Sequence, residues 1–255
     1  MPERLDISIY KRGLAASRER ARQMIKGGYI YLNGKQVLKA SYNVNENDKI
    51  NIIGETLKFV SRGGIKLEYA VKAFGLYFDG LTAIDMGAST GGFSDCMLQG
   101  GAKKIYAVDV GSGQLHEKIK NNPNVINMEQ VNIRDMIFDD IGEKVDFISI
   151  DTSFISLKLI LPKAFMFIKE NGNIVALIKP QFEAGRENIG KGGIVKDKKI
   201  HEKVIKEIYD FVIQSGFVPV NITPSPITGG DGNKEYLMHI KKQGEQFDFK
   251  KASLL

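Results

Sequence analysis

The sequence predicts an α/β protein in two parts: a small basic α+β module over residues 1–60, then a doubly wound sheet of seven strands over residues 61–255. Three observations predict this fold class. Strand-like apolar runs alternate with helical patterns through the second part, which is typical of a parallel sheet covered by helices. The apolar run at 81–84 ends in Asp85 and a loop of small residues, as strands do where an open α/β sheet binds a ligand. The excess positive charge is concentrated in the first 60 residues.

The composition is that of a globular protein and argues against a secreted or membrane protein. The 255 residues are 43% hydrophobic and 26% charged, which is sufficient for one or two domains with their own cores. A single cysteine, Cys96, excludes an internal disulfide and fits a reducing cytosol. The chain begins without an apolar signal segment, and no uncharged apolar run approaches the ~18 residues that span a bilayer. Together these features lead us to expect a cytoplasmic protein. The histidines show no metal-ligand spacing, so we expect no metal site.

The first 60 residues carry 11 Lys and Arg against 6 Asp and Glu, which accounts for +5 of the net charge of +6. This asymmetry indicates a module that binds a polyanion. Ser17 is the predicted N-cap of a helix that ends near Lys26, with Arg18, Arg22 and Lys26 on one face. The opposite face, which we expect to pack on a small core, holds Ala21, Met24 and Ile25. Asn33-Gly34 predicts a hairpin turn between short strands. A basic face without interleaved acids favours nucleic-acid binding over a merely solvated surface.

The second part begins after Ser61-Arg62-Gly63-Gly64, which we interpret as a short flexible joint between the two parts. A helix is predicted from Ile65 to Phe74. We predict strands at 82–86, 104–109, 124–128, 146–151, 173–179, 217–223 and 235–241, and helices at 91–99, 156–169 and 197–215. A Pro- and Gly-rich link joins the last two strands and leaves no room for a long helix, so the final strand should be antiparallel.

The loop that follows the first of these strands indicates the kind of cofactor. A dinucleotide fingerprint requires G-x-G-x-x-G around a pyrophosphate, whereas this chain has Asp85-x-Gly87-x-Ser89-Thr90-Gly91-Gly92. An acid in the loop repels a pyrophosphate but can hold an ammonium group. S-adenosylmethionine carries an ammonium and a carboxylate but no phosphate, and is therefore the predicted cofactor; a glycine-rich turn without a ligand is the alternative. Asp109 ends the next strand, 24 positions after Asp85, where it can take the two ribose hydroxyls.

Charged residues also stand where other strands end, at the same edge of the sheet. Asp151 ends the fourth predicted strand, Lys179 ends the fifth, and Glu235 opens the antiparallel last strand. Lys66 lies in the helix before the first strand. A lysine that follows a run of apolar residues is costly to bury unless acids pair with it. The two lysines and two acids therefore predict one charged network.

Such a network has a chemical use. A ribose 2′-hydroxyl is a weak nucleophile at neutral pH and needs a base close by as it attacks a methyl group. An amine becomes that base when burial and a neighbouring ammonium weaken its hold on a proton. We therefore hypothesise that Lys179 is the general base, that Lys66 tunes it and orients the ribose, and that Asp151 and Glu235 hold both lysines. The alternative is a buried ion-pair cluster that only closes the sheet edge.

Short motifs in the first part follow the order of a known domain. They are Arg4-Leu5-Asp6, Arg12-Gly13-Leu14-Ala15, Ser17-Arg18, Ala21, Ile25, Gly28, Tyr29-Ile30, Asn33-Gly34 and the segment from Val44 to Ile50. This pattern resembles the S4 RNA-binding domain. The resemblance implies that the first two helices and the hairpin hold structured RNA. The contacts it implies are Arg4, Lys11, Arg12, Arg18, Arg20 and Arg22.

Five further motifs follow in order along the chain. They are Ser61-Arg62-Gly63-Gly64-x-Lys66-Leu67, the loop from Asp85 to Phe93, Asp151-x-Ser153-Phe154-Ile155-Ser156-Leu157, Lys179-Pro180-Gln181-Phe182-Glu183 and Gly232-Asn233-Lys234-Glu235. With the S4-like part before them, they resemble the TlyA (hemolysin A-like) ribosomal RNA methyltransferases, which join an S4 domain to an FtsJ-type methyltransferase domain of class I, Rossmann-like fold.

The resemblance implies a function and a set of site residues. The activity is 2′-O-methylation of a cytidine in ribosomal RNA, within ribosomal subunits or ribosomes. The family's Lys-Asp-Lys-Glu tetrad falls on Lys66, Asp151, Lys179 and Glu235, the same residues found at the strand ends. The expected cofactor residues are Asp85, Gly87, Ser89, Thr90, Gly91, Gly92, Phe93, Asp109 and, for the adenine amino group, Asp135. Asp135 is equally compatible with a helix N-cap. A monomer is compatible with the sequence, which does not give the oligomeric state.

Other functions compete with this one. The hemolysin name implies a membrane-active cytolysin, but the sequence has no signal segment, membrane span or strongly apolar amphipathic helix. A non-catalytic RNA-binding protein is a further alternative, against which the complete tetrad and loop count. Methylation of a base amine usually calls for Asp/Asn-Pro-Pro-aromatic after the fourth strand, where this chain has Asp151-Thr152-Ser153-Phe154. The glycine-rich segment from Gln181 to Lys196 is either a substrate loop that orders on RNA or a plain connection.

Overall fold

The computed structural model describes residues 2–15, 17–52, 58–190, 192–229 and 232–249, with the backbone alone at Gln23. The chain divides into two compact units, residues 1–58 and 59–255. The boundary expected from the sequence lies two residues later, between 60 and 61, and stays a prediction.

The first unit packs two short helices against small antiparallel sheets. The helices are α1 (Leu5–Lys11) and α2 (Arg18–Lys26), and the strands are β1 (Glu3–Arg4), β2 (Ile30–Leu32), β3 (Lys35–Gln36), β4 (Asn43–Val44) and β5 (Ile50–Ile52). Strand β1 pairs with β4, and β2 lies between β3 and β5.

Local sequence signals explain these elements. Ser17 Oγ accepts a hydrogen bond from the Arg20 amide at 3.1 Å, which confirms the predicted N-cap of α2. Asn33 and Gly34 have φ angles of 49° and 82°, as a two-residue hairpin turn with positive φ at both positions requires. The predicted inner face of α2 is also confirmed, because the core of this unit contains Ala21, Met24 and Ile25.

The second unit is built on one mixed sheet of seven strands. These are β6 (Thr82–Met86), β7 (Lys104–Asp109), β8 (Val125–Glu129), β9 (Val145–Ile150), β10 (Ile168–Ile178), β11 (Val218–Pro224) and β12 (Tyr236–Lys241). Their spatial order is β11-β12-β10-β9-β6-β7-β8. The last strand, β12, is antiparallel to both of its neighbours, whereas β6 to β10 pair in parallel. The predicted fold class is confirmed, including the reversed last strand.

Helices cover both faces of this sheet. They are α3 (Gly63–Phe74), α4 (Gly92–Gln99), α5 (Glu117–Lys120), α6 (Leu157–Phe167), α7 (Pro180–Glu183) and α8 (Lys198–Gln214). The larger core cluster joins α6 and α8 to side chains such as Ile84 and Met86. A second cluster joins α3 and α4 to Ala83, which precedes Ile84 in β6, and to Phe147 of β9. Alternate residues of each strand thus serve opposite cores.

Two sequence-based predictions about these elements are wrong. The segment 61–64 is not a flexible joint, because Gly63 and Gly64 open helix α3. A Cβ on Gly64 would lie 2.2 Å from the Phe59 side chain, so close packing rather than flexibility calls for glycine here. The strand expected at 173–179 begins earlier, at Ile168, directly after α6, and its pairing with β9 is irregular before Asn173.

Candidate active site

Side-chain alternation brings three charged residues to one face of the sheet. In β10, Val175 and Leu177 belong to the core under α3 and α4, while Ala176 and Ile178 belong to the opposite core. Lys179 follows Ile178 and therefore falls on the α3 face. The same alternation puts Asp151, after β9, and Glu235, before β12, on that face. Lys66 is carried by α3 itself.

The four residues form two ion pairs. Lys66 Nζ lies 2.6 Å from Glu235 Oε2, and the two side chains are only 10% and 3% exposed. Lys179 Nζ lies 2.6 Å from Asp151 Oδ1. Because these charges are removed from water, each residue depends on its partner: removing one member of a pair leaves the charge of the other uncompensated. The sequence predicted the four residues but not these specific pairings.

Lys179 and Asp151 stand on two chain segments, 151–157 and 179–183, which are joined by several side-chain contacts. Lys179 Nζ donates to Ser153 Oγ at 3.0 Å. Glu183 accepts from Ser156 Oγ at 2.6 Å and from the Leu157 amide at 2.7 Å. Burial raises the pKa of the Glu183 carboxyl, while these hydrogen bonds lower it. Glu183 thereby caps α6 and fixes one segment against the other.

Phe154 is a residue of this site that the sequence argument passed over. Its side chain is 90% exposed, although it immediately follows Ser153 and its ring centroid lies 4.9 Å from that of Phe182. Its φ of 64° is in the left-handed region, which a bulky residue rarely adopts. The available signal was an aromatic residue in a loop at the functional edge of the sheet, within Asp151-Thr152-Ser153-Phe154.

The glycine loop lies beside the end of β9. Gly87 and Gly91 have φ angles of 88° and 87°, which favour glycine. A Cβ on Gly87 would lie 2.6 Å from the Asp151 carbonyl oxygen, so the loop and the Asp151 backbone are in direct contact. Ser89, at φ 49°, is exposed and Thr90 is partly exposed. These loop residues are accessible at the edge that carries the Lys179–Asp151 pair.

Asp85 lies behind the loop and has no exposed surface. Its carboxyl accepts hydrogen bonds from Ser94 Oγ at 2.7 Å and from Ser149 Oγ at 3.0 Å. Burial raises the pKa of Asp85 to about 6, with a smaller contribution from the charge of Asp151 and against the two serine hydrogen bonds. Asp85 thus links β6 to α4 and β9 at the base of the site.

The remaining expected cofactor residues occupy different environments. Asp109 accepts from the Ser89 amide at 2.8 Å and from the Gly111 amide at 2.7 Å, which orients its carboxylate at the loop. Phe93 is buried in the core under α3 and α4. Asp135 is exposed and ends a short 3₁₀ turn, 133–135, whose N-cap is Asn132. The N-cap alternative for Asp135 is therefore wrong.

The basic residues expected to contact RNA fall into separate groups in the first unit. Arg4, Arg18 and Arg22 all donate to the buried carboxylate of Asp6. Burial by itself raises the pKa of Asp6, but the three arginine hydrogen bonds outweigh it and hold the pKa well below its usual range. Asp6 lies in the motif Arg4-Leu5-Asp6, but the sequence did not predict this role for it.

The other three basic residues are placed differently. Lys11 pairs with Glu3 at 2.8 Å, and Arg20 is partly buried. Arg12 donates from its two terminal nitrogens to the carbonyl oxygens of residues 45, 46 and 48, at 2.9, 3.1 and 2.7 Å. Arg12 therefore holds the turn before β5, besides the RNA contact expected of it.

Within the described ranges, no helix is long and apolar enough to cross a membrane. In the same part of the chain, no group of three or more His, Cys, Asp or Glu side chains is placed to hold a metal ion.

The fold agrees with comparisons to known proteins. The FtsJ-like methyltransferase model matches residues 59–242, and the S4 domain model matches residues 3–50. The chain belongs to the FtsJ-like methyltransferase family. This FtsJ-like methyltransferase with an S4 domain is 44% identical over 244 residues to a Bacillus subtilis (strain 168) protein provisionally named rRNA methyltransferase YqxC, covering 95% of this chain and 87% of that protein.

Other relatives identify the group within that family. The 16S/23S rRNA (cytidine-2′-O)-methyltransferase TlyA of Mycobacterium tuberculosis (strain ATCC 25618 / H37Rv) is 34% identical, over 95% of this chain and 91% of that protein. A solved structure, provisionally described as a hemolysin from Streptococcus thermophilus, superposes with a TM-score of 0.77 at 44% identity, covering 96% of this chain and 90% of that one. The resemblance to the TlyA (hemolysin A-like) group is confirmed.

Proposed function

We propose that this methyltransferase transfers a methyl group from S-adenosylmethionine to the 2′-hydroxyl of a cytidine in ribosomal RNA, and that it acts in the cytoplasm on ribosomal subunits. The observation that carries the proposal is the presence of two lysine–carboxylate pairs at one sheet edge, Lys66–Glu235 buried and Lys179–Asp151 partly buried. The pair Lys179–Asp151 adjoins the glycine loop through the Asp151 backbone. The TlyA relative named for this reaction supports the choice of substrate.

The residues around the glycine loop fit the cofactor. Thr152 Oγ1 is buried and has no hydrogen-bond partner among the described residues, and the Thr152 Cα would lie 3.2 Å from a Cβ on Gly87. Buried hydroxyls are almost always hydrogen-bonded, so this one suits a polar ligand group at the loop. We assign the methionine end to residues 87–92, the ribose to Asp109 and the adenine amino group to Asp135. Asp85 and Phe93, which the sequence also suggested as cofactor contacts, are buried, so we assign them to the support of the site. When bound, S-adenosylmethionine supplies an electrophilic methyl group on a sulfonium.

The two ion pairs divide the chemistry of the 2′-hydroxyl between them. The ribose 2′-oxygen forms the new O–C bond as the C–S bond to the methyl group breaks, and its proton passes to Lys179 Nζ. This step uses the amine form of Lys179, and Asp151 stabilises the ammonium that results. Lys66, fixed by Glu235, donates a hydrogen bond to the 2′-oxygen and orients it. With S-adenosylmethionine bound, the positive charge that leaves its sulfonium would reappear on the Lys179 ammonium, so proton and charge would balance.

The target nucleotide needs a binding surface for its base once it has turned out of the RNA helix. An enzyme that acts within a folded RNA turns the nucleotide out and holds its base on an aromatic surface. Phe154 offers such a surface beside Lys179, because it is exposed and braced by Phe182. The basic first unit binds the phosphate groups of the RNA and so docks it on the protein.

The test is transfer of a labelled methyl group to ribosomal subunits that lack the modification. Wild type should label RNA as 2′-O-methylribose, and Lys179→Ala should not. Lys179→Arg keeps a cation beside Asp151 but cannot give up its proton. It should therefore also lose about 10² to 10⁴ in rate, which is the size of a general-base contribution. Lys66→Arg is the matched control, since it keeps a cation beside Glu235 and should retain measurable activity.

Cofactor binding, measured by calorimetry, separates the possible outcomes. All three variants should bind S-adenosylmethionine nearly as wild type does. An active Lys179→Arg protein would remove Lys179 from the role of base. A wild type that binds the cofactor but labels neither subunit nor the whole ribosome would overturn the proposed substrate.

A further inference from the structure

The first unit contains a charged cluster with an unusual centre, Asp6. The Asp6 side chain is fully buried, yet it is surrounded by three arginines whose side chains are 39–45% exposed. Arg4 Nε lies 2.9 Å from Asp6 Oδ1, while Arg18 Nε and Arg22 Nε lie 2.9 and 3.0 Å from Asp6 Oδ2. Three positive charges thus meet one negative charge, and the cluster carries a net charge of +2.

The contacts use one particular nitrogen of each arginine. All three guanidinium groups turn their Nε edge towards Asp6. The terminal nitrogens of Arg18 have no partner among the described residues, and Arg22 Nη1 has only a distant contact of 3.5 Å with Glu19. Arg4 Nη2 makes one further bond of 3.3 Å to Asp6. Most of the outward donors of the cluster therefore remain available for a ligand.

Stability alone does not explain this arrangement. A buried carboxylate needs one or two good partners to offset its desolvation, and three arginines exceed that need. Three guanidinium groups held near one another repel unless an anion lies among them, and long side chains lose conformational entropy when they are held. Asp6 supplies that anion from inside the fold and leaves the outer edges of the arginines uncovered.

We propose that Asp6 is a positioning residue that presents Arg4, Arg18 and Arg22 as one preformed binding site for RNA phosphate groups. This inference rests on the proposed function, because it names how the first unit holds the RNA substrate. Guanidinium forks match phosphate oxygens in pairs of parallel hydrogen bonds. The three forks come from the start of α1 and from two successive turns of α2, so the surface suits several phosphates of a folded RNA.

The change Asp6→Asn tests this by the sign of its effect. If charge alone governs RNA binding, loss of a carboxylate makes the unit more positive and tightens binding. If Asp6 positions the arginines, the same change releases them and weakens RNA binding. We expect a loss of about tenfold or more in affinity, which corresponds to about 1.4 kcal/mol, because at least two phosphate contacts are disturbed. The matched control is Glu19→Gln, which removes an exposed acid of α2, the helix that carries Arg18 and Arg22, and should bind RNA as tightly as wild type or more tightly.

Binding is measured by filter retention of full-length protein on protein-free ribosomal RNA, over a series of salt concentrations. Asp6→Asn should also show a shallower dependence on salt, since fewer phosphates are contacted. Arg18→Lys is the second variant, because it keeps the charge and two of the three contacts to Asp6 but replaces the fork by an ammonium. It should weaken binding severalfold without loss of fold by circular dichroism, and it keeps the test valid if Asp6→Asn does not fold.

The outcomes are separable from those of the proposed function. Unchanged or tighter RNA binding by folded Asp6→Asn, or by Arg18→Lys, overturns the inference even if wild type methylates RNA normally. RNA binding that depends on Asp6 supports it even if no methyl transfer is found. Binding to phosphatidylglycerol vesicles that depends on Asp6, with no such dependence for RNA, would also overturn it.

Discussion

Phe154 combines two features that each cost free energy in a folded protein. A left-handed φ costs a residue with a side chain about 1–2 kcal/mol, and an exposed phenyl ring gains little from folding. Neither feature helps the core. Strain of this kind persists where surrounding contacts fix it, and it is typical of functional sites.

The change Phe154→Ala should therefore separate activity from stability. We expect the apparent affinity for the RNA substrate to fall at least tenfold, since stacking of a base on an aromatic ring is worth about 1–3 kcal/mol, while the unfolding midpoint stays within experimental error of wild type. Steady-state methyl transfer and thermal unfolding provide the two measurements. Leu159→Ala, which shortens an exposed side chain on α6, is the control. Equal losses in both proteins would argue against a role for the Phe154 ring.

At the scale of elements, the site depends on how two segments are held together. The segments 151–157 and 179–183 end neighbouring parallel strands, β9 and β10, and Glu183 links them through two hydrogen bonds. This contact sets the position of Asp151 relative to Lys179, because each stands at the start of its segment.

We expect Glu183→Ala to lower the rate of methyl transfer at saturating RNA and to destabilise the second unit by about 1–3 kcal/mol, as two buried polar groups lose their partner. Glu183→Gln keeps an acceptor and should be affected less in both respects. The matched control is Glu207→Ala, which breaks a half-exposed pair with Lys158 and should change stability by less than about 1 kcal/mol. Normal rates in Glu183→Ala would show that the two segments keep their alignment without it.

The elements of the second unit were predictable to a large extent, because their signals are local and repeated. Strand ends, the reversed last strand and three of the four charged residues, Asp151, Lys179 and Glu235, follow from apolar runs and from what terminates them. Side-chain alternation along the strands also predicts that residues 151, 179 and 235 share one face of the sheet. It does not tell that this is the face that α3 covers and to which α3 brings Lys66.

The remaining contacts could not be predicted, since they depend on packing between distant parts of the chain. Nothing in the local sequence tells that Glu183 reaches the Leu157 amide, 26 positions before it. The same holds for Asp6, whose partners on α2 follow it by 12 and 16 positions. A basic face was readable from helical spacing, whereas the buried acid that organises it was not.

At the scale of the whole molecule, two buried groups give opposite dependence of stability on pH. Burial raises the pKa of Asp85 to about 6, so the folded state binds this proton more tightly than the unfolded chain, and stability is lost as pH rises from about 4 to 6. Burial lowers the pKa of His239 to about 4, with a smaller effect of Lys241, so stability is lost as pH falls from about 6.5 to 4. Each effect amounts to about 3 kcal/mol, and the two nearly cancel in this range.

The change Asp85→Asn should make this cancellation visible. Without the carboxyl, the His239 contribution remains, and the free energy of unfolding should rise by about 3 kcal/mol between pH 4 and 6.5 relative to the wild-type profile. At pH 7.5 the variant should be more stable than wild type, by up to about 3 kcal/mol less the loss of the two serine hydrogen bonds. Urea unfolding followed by circular dichroism at four pH values measures both effects. Parallel profiles for the two proteins would show that Asp85 does not titrate in this range.

The pair Lys66–Glu235 joins residues that are 169 positions apart in the chain. Lys66 belongs to the first helix of the second unit, and Glu235 precedes its last strand. During synthesis the lysine leaves the ribosome long before its partner has been made, and the sheet edge closes only when β12 arrives. A chain that stops before β12 keeps the glycine loop and Lys179 but leaves Lys66 without its carboxylate. We therefore expect methyl transfer only from a chain that has been synthesised at least through β12.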